Sequence, residues 1–420
     1  MNRREFLGTT GAAVVGGALA PSAPVPAAPT LGPKTYGVLG VPVGSLAALK
    51  AIKAAGSTHV LIQAPWDQLQ PRGAGTSLNA AAVDPLTTQL DHAKRAGLRV
   101  MWENAFHYPP AWVLAAVEPF VDQNGVTYDA AGSAPGRRVA NWMWTARGQS
   151  LVADFLSKLA AALGPSRCAQ MDGIKTGGGW YGELHYPPSA TGGDAFQGFG
   201  TSMQTGIGLA LHQVVCPLPG YRPFSGRPRL DTIWLDWYLD GLGTWLTWLI
   251  AAHRSAGFSA DFHVCHPGYG VRSNQVISSA GYQQAAALGE DPARMMDVYV
   301  SDPQVWPYCT WLNTKDGFYP PQVDSDLSAW KKIYEEAVRR NKHLKLWGEN
   351  TGHETTTGMD GIFRGNPRGS ALSTAPYILA PPQGVYGYQG IFWLSYASLT
   401  RGGRDASLAD YRRAIRSQPA

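Results

Sequence analysis

Charge is scarce in this chain of 420 residues: Asp, Glu, Lys and Arg together make up only 15% of it. With 35 Lys+Arg against 30 Asp+Glu, the formal net charge is +5. No cluster of basic side chains accompanies that small excess, which argues against nucleic acid as a partner. Disorder requires high charge and few aromatics, yet 45% of the residues are hydrophobic and 11% aromatic. Cysteine is rare. Cys168, Cys216, Cys265 and Cys309 allow two disulfides in three pairings, or four buried free thiols. Beyond the first thirty residues no apolar run is long enough to span a bilayer. Several motifs are absent as well. There is no dinucleotide fingerprint after the first strand candidate, no Gly-x-Ser-x-Gly elbow, and no Lys-Ser/Thr after Gly177-Gly178-Gly179 to make a phosphate loop. His263-x-Cys265-His266 is poor metal-ligand geometry, because on a strand 263 and 265 share a face and 266 takes the other. Nothing in the sequence calls for a cofactor or a metal.

Tryptophan is the residue in excess, with 15 copies. Its apolar faces serve cores and also stack on flat ligands such as sugar rings. Another informative stretch is the N-terminus, Met1-Asn2-Arg3-Arg4-Glu5-Phe6-Leu7. An arginine pair followed by Phe-Leu and a short Ala/Gly/Val stretch is a twin-arginine export leader. Residues 1–28 are therefore expected to be removed, with Ala20 and Ala28 as candidate cleavage points. The mature chain is then expected in the periplasm or outside the cell, without a stable membrane anchor.

From about residue 33 to 417 short apolar segments alternate with amphipathic ones. Expected strands are Thr35–Val41, His59–Ala64, Leu98–Glu103, Met171–Thr176, Ala260–Cys265, Met296–Val300, Leu344–Gly348 and Gly390–Leu394. Expected helices are Ser45–Ala55, Asp84–Ala96, Thr145–Leu163, Leu235–Ala256, Ser325–Arg340 and Ser407–Arg416. Eight buried strands with helices between them predict one α/β domain, a (β/α)8 TIM barrel at 33–417. Long loops at 104–144 and 184–233 would lie on its C-terminal face, where barrels carry their sites.

Two carboxylates stand at strand ends. The fourth strand runs into Gly177-Gly178-Gly179-Trp180-Tyr181-Gly182-Glu183-Leu184-His185-Tyr186-Pro187, and the seventh into Trp347-Gly348-Glu349-Asn350. Either glutamate alone reads equally well as a loop cap. As a pair across a barrel mouth, Glu183 and Glu349 fit glycoside hydrolysis, which needs two carboxyls flanking the scissile bond. Trp66, Trp102, Trp180 and Trp347 stand at or near strand ends. Packing is the commoner role for any single tryptophan; four at one face favour a carbohydrate cleft.

The segment Gly177-x-Gly179-x-x-Gly182-Glu183-Leu184-x-Tyr186-Pro187 resembles the one that carries the catalytic acid of β-amylases, glycoside hydrolase family 14. Gly348-Glu349-Asn350 is similar to that family's base segment, and 390–399 to its last strand. Weaker likenesses are Met101 with Pro110-Ala111-Trp112-Val113, then Phe196–Gly200 with Pro217–Pro223. The resemblance implies a (β/α)8 barrel that hydrolyses glycosidic bonds with inversion, Glu183 as general acid and Glu349 as general base. Gln63, Trp66, Asn104, Trp180, Tyr186, His266, Trp347 and Asn350 are the expected substrate contacts. The sugar-reading residues depart from the family. Gln63 stands where an Asp is usual, Glu103-Asn104 where a His is usual, and the family's fifth-strand Lys has no evident counterpart. Two alternatives remain open: a β-galactosidase-like retaining exo-glycosidase, whose usual Asn before the acid is Gly182 here, and a non-catalytic sugar-binding barrel.

Overall fold

The computed structural model describes residues 35–191, 194–267, 283–310, 344–350, 388–402 and 406–417, with positions 329, 333, 336, 337, 339 and 340 of one further helix. The expected leader at 1–28 and most of the expected helix Ser325–Arg340 lie outside the described residues. Eight parallel strands close a barrel in chain order. They are β1 (Thr35–Val38), β2 (His59–Pro65), β3 (Arg99–Ala105), β4 (Met171–Thr176), β5 (Asp261–His266), β6 (Val305–Cys309), β7 (Leu346–Glu349) and β8 (Tyr388–Trp393). Closure is made by β1 against β8, with Thr35 opposite Gly390 and Val38 opposite Trp393.

Strand side chains alternate between two buried faces. The outer set, including Val60, Ile62, Val100, Trp102, Ile174, Phe262 and Val264, packs under the helices. The inner set, Leu39, Leu61, Met101, Cys265, Tyr308, Trp347 and Phe392, fills the lumen. Such bulk fits because glycines face it. A Cβ on Gly37 would lie 2.2 Å from the Phe392 ring, and one on Gly390 would lie 2.5 Å from Trp347.

The helices begin where their capping residues stand. Ser45 accepts from the amide of Ala48 to start Leu46–Ala54, and Thr145 accepts from that of Gly148 to start Ala146–Leu163. Ala80–Arg95 starts four residues before the expected Asp84, from Asn79, and keeps Pro85 within its length. The long helix Pro228–Ala256 ends at Gly257, whose φ of +106° needs glycine. Leu408–Arg416 opens on a reciprocal Ser407–Asp410 capping box.

One expected strand is a helix. Met296–Ser301 is helical, with Met296 and Tyr299, three residues apart, as its buried side chains. The sixth strand is Val305–Cys309 instead. Its central Pro307 lacks an N–H and disguises it, although it pairs with Val264 in register. All four cysteines are buried and free, so no disulfide staples the chain. Among the described residues no helix is long and apolar enough to cross a membrane.

The long connections after β3 and β4 form one layer beyond the strand ends. Gln123 donates its amide to the Phe196 carbonyl at 2.9 Å, and Phe199 donates to Val121 at 3.0 Å. Asp122 ties both together: it accepts from the amides of Asn124 and Val126 and from the hydroxyls of Ser189 and Thr191.

Candidate active site

At the end of β7, Glu349 shares the inward parity of Trp347. Its Oε2 accepts from the Tyr308 hydroxyl at 2.7 Å, and Lys175 Nζ lies 3.1 and 3.3 Å from its two oxygens. Lys175 also stands 3.9 Å from Glu103, whose other oxygen accepts from Gln63 Nε2 at 2.6 Å. Strand register explains the grouping, since Gln63 pairs with Glu103 and Glu103 with Lys175. Glu103 and Glu349 are only 3% and 6% exposed. Burial pushes Glu349 upward, while Lys175 and the Tyr308 hydroxyl draw it back. Burial works against the charge on Lys175, but its anionic neighbours hold its pKa well above the usual lysine value. An ammonium between two carboxylates favours the ionised form of Glu349 against its burial and orients it.

Glu183 is placed by a tight loop. Gly179 donates its amide to the Glu183 carbonyl at 2.8 Å, and Glu183 donates to Trp180 at 3.1 Å. Leu184 donates to Cys265 of β5 at 2.6 Å, and Tyr186 to Leu288 at 2.8 Å. Gly182 has φ +79°, and a Cβ there would lie 2.7 Å from His107 Nδ1 and 3.0 Å from Glu103 Oε1. Glycine is therefore required just before Glu183. One Glu183 oxygen accepts from the Thr310 hydroxyl at 2.5 Å; the other lies 3.1 Å from His185 Nε2. The opposite ring nitrogen, Nδ1, lies 3.0 Å from Glu290. His185 and Glu290 are 0% and 1% exposed. Burial disfavours charge on His185, but Glu290 and Glu183 outweigh it and raise the ring to about 10. His107 behaves oppositely: burial, then Lys175, push it down to about 3.

Several expected contacts lie elsewhere. Trp66 is core: it stacks on Phe155 at 4.9 Å and donates to Gln70. Asn104 has the outward parity, accepting from Trp102 Nε1 and meeting His253 of the long helix at 2.9 Å. The inward residue of that pair is Glu103. Tyr186 is buried, donating to the Tyr238 carbonyl and accepting from Trp144. His266 faces outward to the Tyr299 hydroxyl, and burial lowers it to about 3. Trp347 lies inside the barrel, 4.1 Å from His263 and stacked on Phe392. Asn350 spans two strand ends, donating to the Leu394 carbonyl and accepting from its amide.

Trp180 does stand on the Glu183 loop, half-buried, 5.6 Å from His185 with Arg137 over its ring. Gln63 is exposed and, with Asp67 and Asn79, lines a cavity of about 790 Å³ on the β1–β2 rim. The sequence reasoning missed Glu103, His107, Lys175, Tyr308, Thr310 and Glu290. Parity counted from Glu349 and Cys265 would have flagged Tyr308 and Lys175 as inward. Glu290 carries no local signal. Among the described residues no three His, Cys, Asp or Glu side chains are gathered so as to hold a metal.

No family model matches the sequence, and no curated protein does. Solved structures do match by shape. The catalytic domain of β-amylase from Paenibacillus polymyxa superposes with a TM-score of 0.64, at 16% identity over 92% of this chain and 99% of that one. A β-galactosidase from the psychrophilic Marinomonas ef1 superposes with a TM-score of 0.51, at 9% identity over 91% of this chain and 58% of that one. At such identities the likeness is one of fold: the chain is a (β/α)8 barrel of the kind found in glycoside hydrolases, and it resembles β-amylase.

Proposed function

We propose that the protein is a glycoside hydrolase that cleaves an oligo- or polysaccharide with inversion, with Glu183 as general acid and Glu349 as general base. The observation that carries this reading is the presence of two buried carboxylates, one at the end of β7 and one on the loop after β4, each held by its own polar partners. Glu349 faces an ammonium and a phenol, partners that favour its ionised form, ready to take a proton from water. Glu183 faces a hydroxyl and a protonated imidazole. In the reaction Glu183 protonates the glycosidic oxygen as its bond to the anomeric carbon breaks. Glu349 deprotonates the water that attacks the opposite face. Glu103, Gln63 and Trp180 would meet sugar hydroxyls and a ring face. The resemblance to β-amylase supports the pairing, while the altered residues around it leave starch no privileged place among substrates.

Gly182 weighs against the β-galactosidase-like alternative. An Asn before the acid would drive its Cβ into His107 and Glu103. The twin-arginine leader supports export; changing Arg3 and Arg4 both to Lys should retain the protein in the cytoplasm, as cell fractionation would show.

The test is hydrolysis of an oligosaccharide panel, with the anomeric configuration of fresh product read by NMR. Inverted product from the wild type, and its loss in Glu183→Gln, is the expected result. Retained configuration would remove the inverting mechanism. Sugar binding by calorimetry with no product after prolonged incubation would favour a binding barrel.

A further inference from the structure

Behind Glu183 lie two buried ionisable side chains that the two-carboxylate reaction does not use. His185 sits between two glutamates, Nε2 at 3.1 Å from Glu183 Oε2 and Nδ1 at 3.0 Å from Glu290 Oε1. Glu290 belongs to the turn after the helix Gln283–Ala287 and is held there by its backbone, its amide donating to the Ala285 carbonyl. Neither carboxylate oxygen of Glu290 makes a well-aligned hydrogen bond among the described residues, and the His185 ring is its close ionic neighbour. Burial pushes the Glu290 carboxyl up to about 8 while the His185 ring draws it back, and an ionised carboxylate so buried destabilises the fold unless a charge faces it. It does not cap a helix, and no described cation other than this ring is paired with it.

We infer that His185 and Glu290 form a proton-holding relay behind the general acid, so that Glu183 receives the proton it delivers from His185 Nε2. This rests on the assignment of Glu183 as the acid. Glu183 accepts from the Thr310 hydroxyl and has the buried ring at 3.1 Å from its other oxygen. A general acid must carry a proton when the leaving group departs. The relay stores that proton on the neighbouring ring: at rest Nε2 is hydrogen-bonded to the Trp180 carbonyl at 2.9 Å, and Glu183 Oε2 stands 3.1 Å away to receive the proton.

The steps balance. The stored proton passes from His185 Nε2 to Glu183 Oε2, and from there to the glycosidic oxygen as the C–O electron pair leaves with it. His185 is then neutral, its remaining proton on Nδ1, 3.0 Å from Glu290, and Glu183 is ionised. Glu349 meanwhile holds the proton taken from water and releases it to solvent, and solvent returns one to the His185–Glu183 pair.

The groups facing His185 from each packed element are few. The acid loop supplies Glu183 and the Trp180 carbonyl, 2.9 Å from Nε2. The turn at 290 supplies Glu290. β5 supplies His266, engaged with Tyr299 and held neutral by burial, so it does not compete for the charge. Burial disfavours charge on the ring, and the two carboxylates more than reverse this.

The test compares wild type, His185→Gln, Glu290→Gln and Glu183→Gln on two substrates: the oligosaccharide the wild type hydrolyses, and the 2,4-dinitrophenyl glycoside of the same sugar. A dinitrophenolate leaves without protonation, so an acid defect shows only on the oligosaccharide. The relay predicts that His185→Gln loses about 10²-fold on the oligosaccharide and little on the activated glycoside. It also predicts that the alkaline limb of its pH profile moves to lower pH, because the ring that stores the proton is gone. Glu290→Gln should move both in the same direction by less. Equal losses on both substrates with an unmoved alkaline limb would overturn the relay and leave His185 a packing residue. Should His185→Gln fail to fold, judged by circular dichroism, Glu290→Gln decides by the same two readouts. Glu183→Gln separates the levels: if it lacks the leaving-group signature, the acid assignment itself fails; if it shows it while the other variants do not, only the relay fails.

Discussion

Glu349 stands on a strand, and so do Lys175, Tyr308 and Glu103 around it. Glu183 stands on a loop, contacted by His185 of the same loop and by Thr310 just beyond β6, with Glu290 of a distant turn behind His185. The base side is thus set by strand parity and register, which a parallel barrel imposes at every layer. The acid side depends on backbone that only glycine adopts and on amides hooked to β5 and Leu288. Chemistry follows construction. In the proposed reaction a strand-held ammonium favours the ionised form of the base, and a loop-held imidazole supplies a proton to the acid.

Variants on each side break or sharpen this contrast. The largest expected effect is Glu183→Gln, about 10²–10⁴-fold lower kcat on unactivated substrate with the fold intact. Normal turnover by that variant would end the acid assignment. Next is Lys175→Met. Glu349 is already pushed upward by burial, and losing the ammonium raises it further. Because the base must be ionised, the acidic limb of kcat/KM should move to higher pH, and chemical denaturation should show a loss of about 3–5 kcal/mol. An acidic limb that stayed or moved down would sink the base-side account. Tyr308→Phe removes one hydrogen bond to a charged group, about 1.5–3 kcal/mol. It should shift the same limb in the same direction by less. Gly182→Ala tests the acid side through backbone alone: kcat should fall while KM changes little, and an unaltered kcat would show that the close approach to His107 and Glu103 is slack. At the small end, Trp66→Ala should leave the KM of folded protein unchanged while lowering stability by about 3–5 kcal/mol; a raised KM would return Trp66 to the site.

Much of the barrel was legible. Seven of the eight expected strands overlap observed ones, because a strand buried on both faces must be a short apolar run. The sixth escaped because Pro307 interrupts it, while Met296–Ser301 offered a more strand-like composition. The expected sugar contacts diverged for one physical reason. Position near a strand end does not give parity: Asn104 and His266 face outward, while Glu103 and the lumen side of β5 face inward. Trp66 and Tyr186 were chosen as aromatics near the mouth, yet both are sealed in the core.

By itself the sequence determined the barrel and singled out Glu183 and Glu349, since periodicity, capping residues and glycine-rich strand ends are local properties of the chain. Only the tertiary structure decided their company. Lys175 reaches Glu349 across 174 positions, and Thr310 reaches Glu183 across 127. Such pairings arise when closing the barrel brings distant strand ends around one lumen. No local pattern encodes them, because their energy comes from burying charges together and not from the residues beside them in the chain.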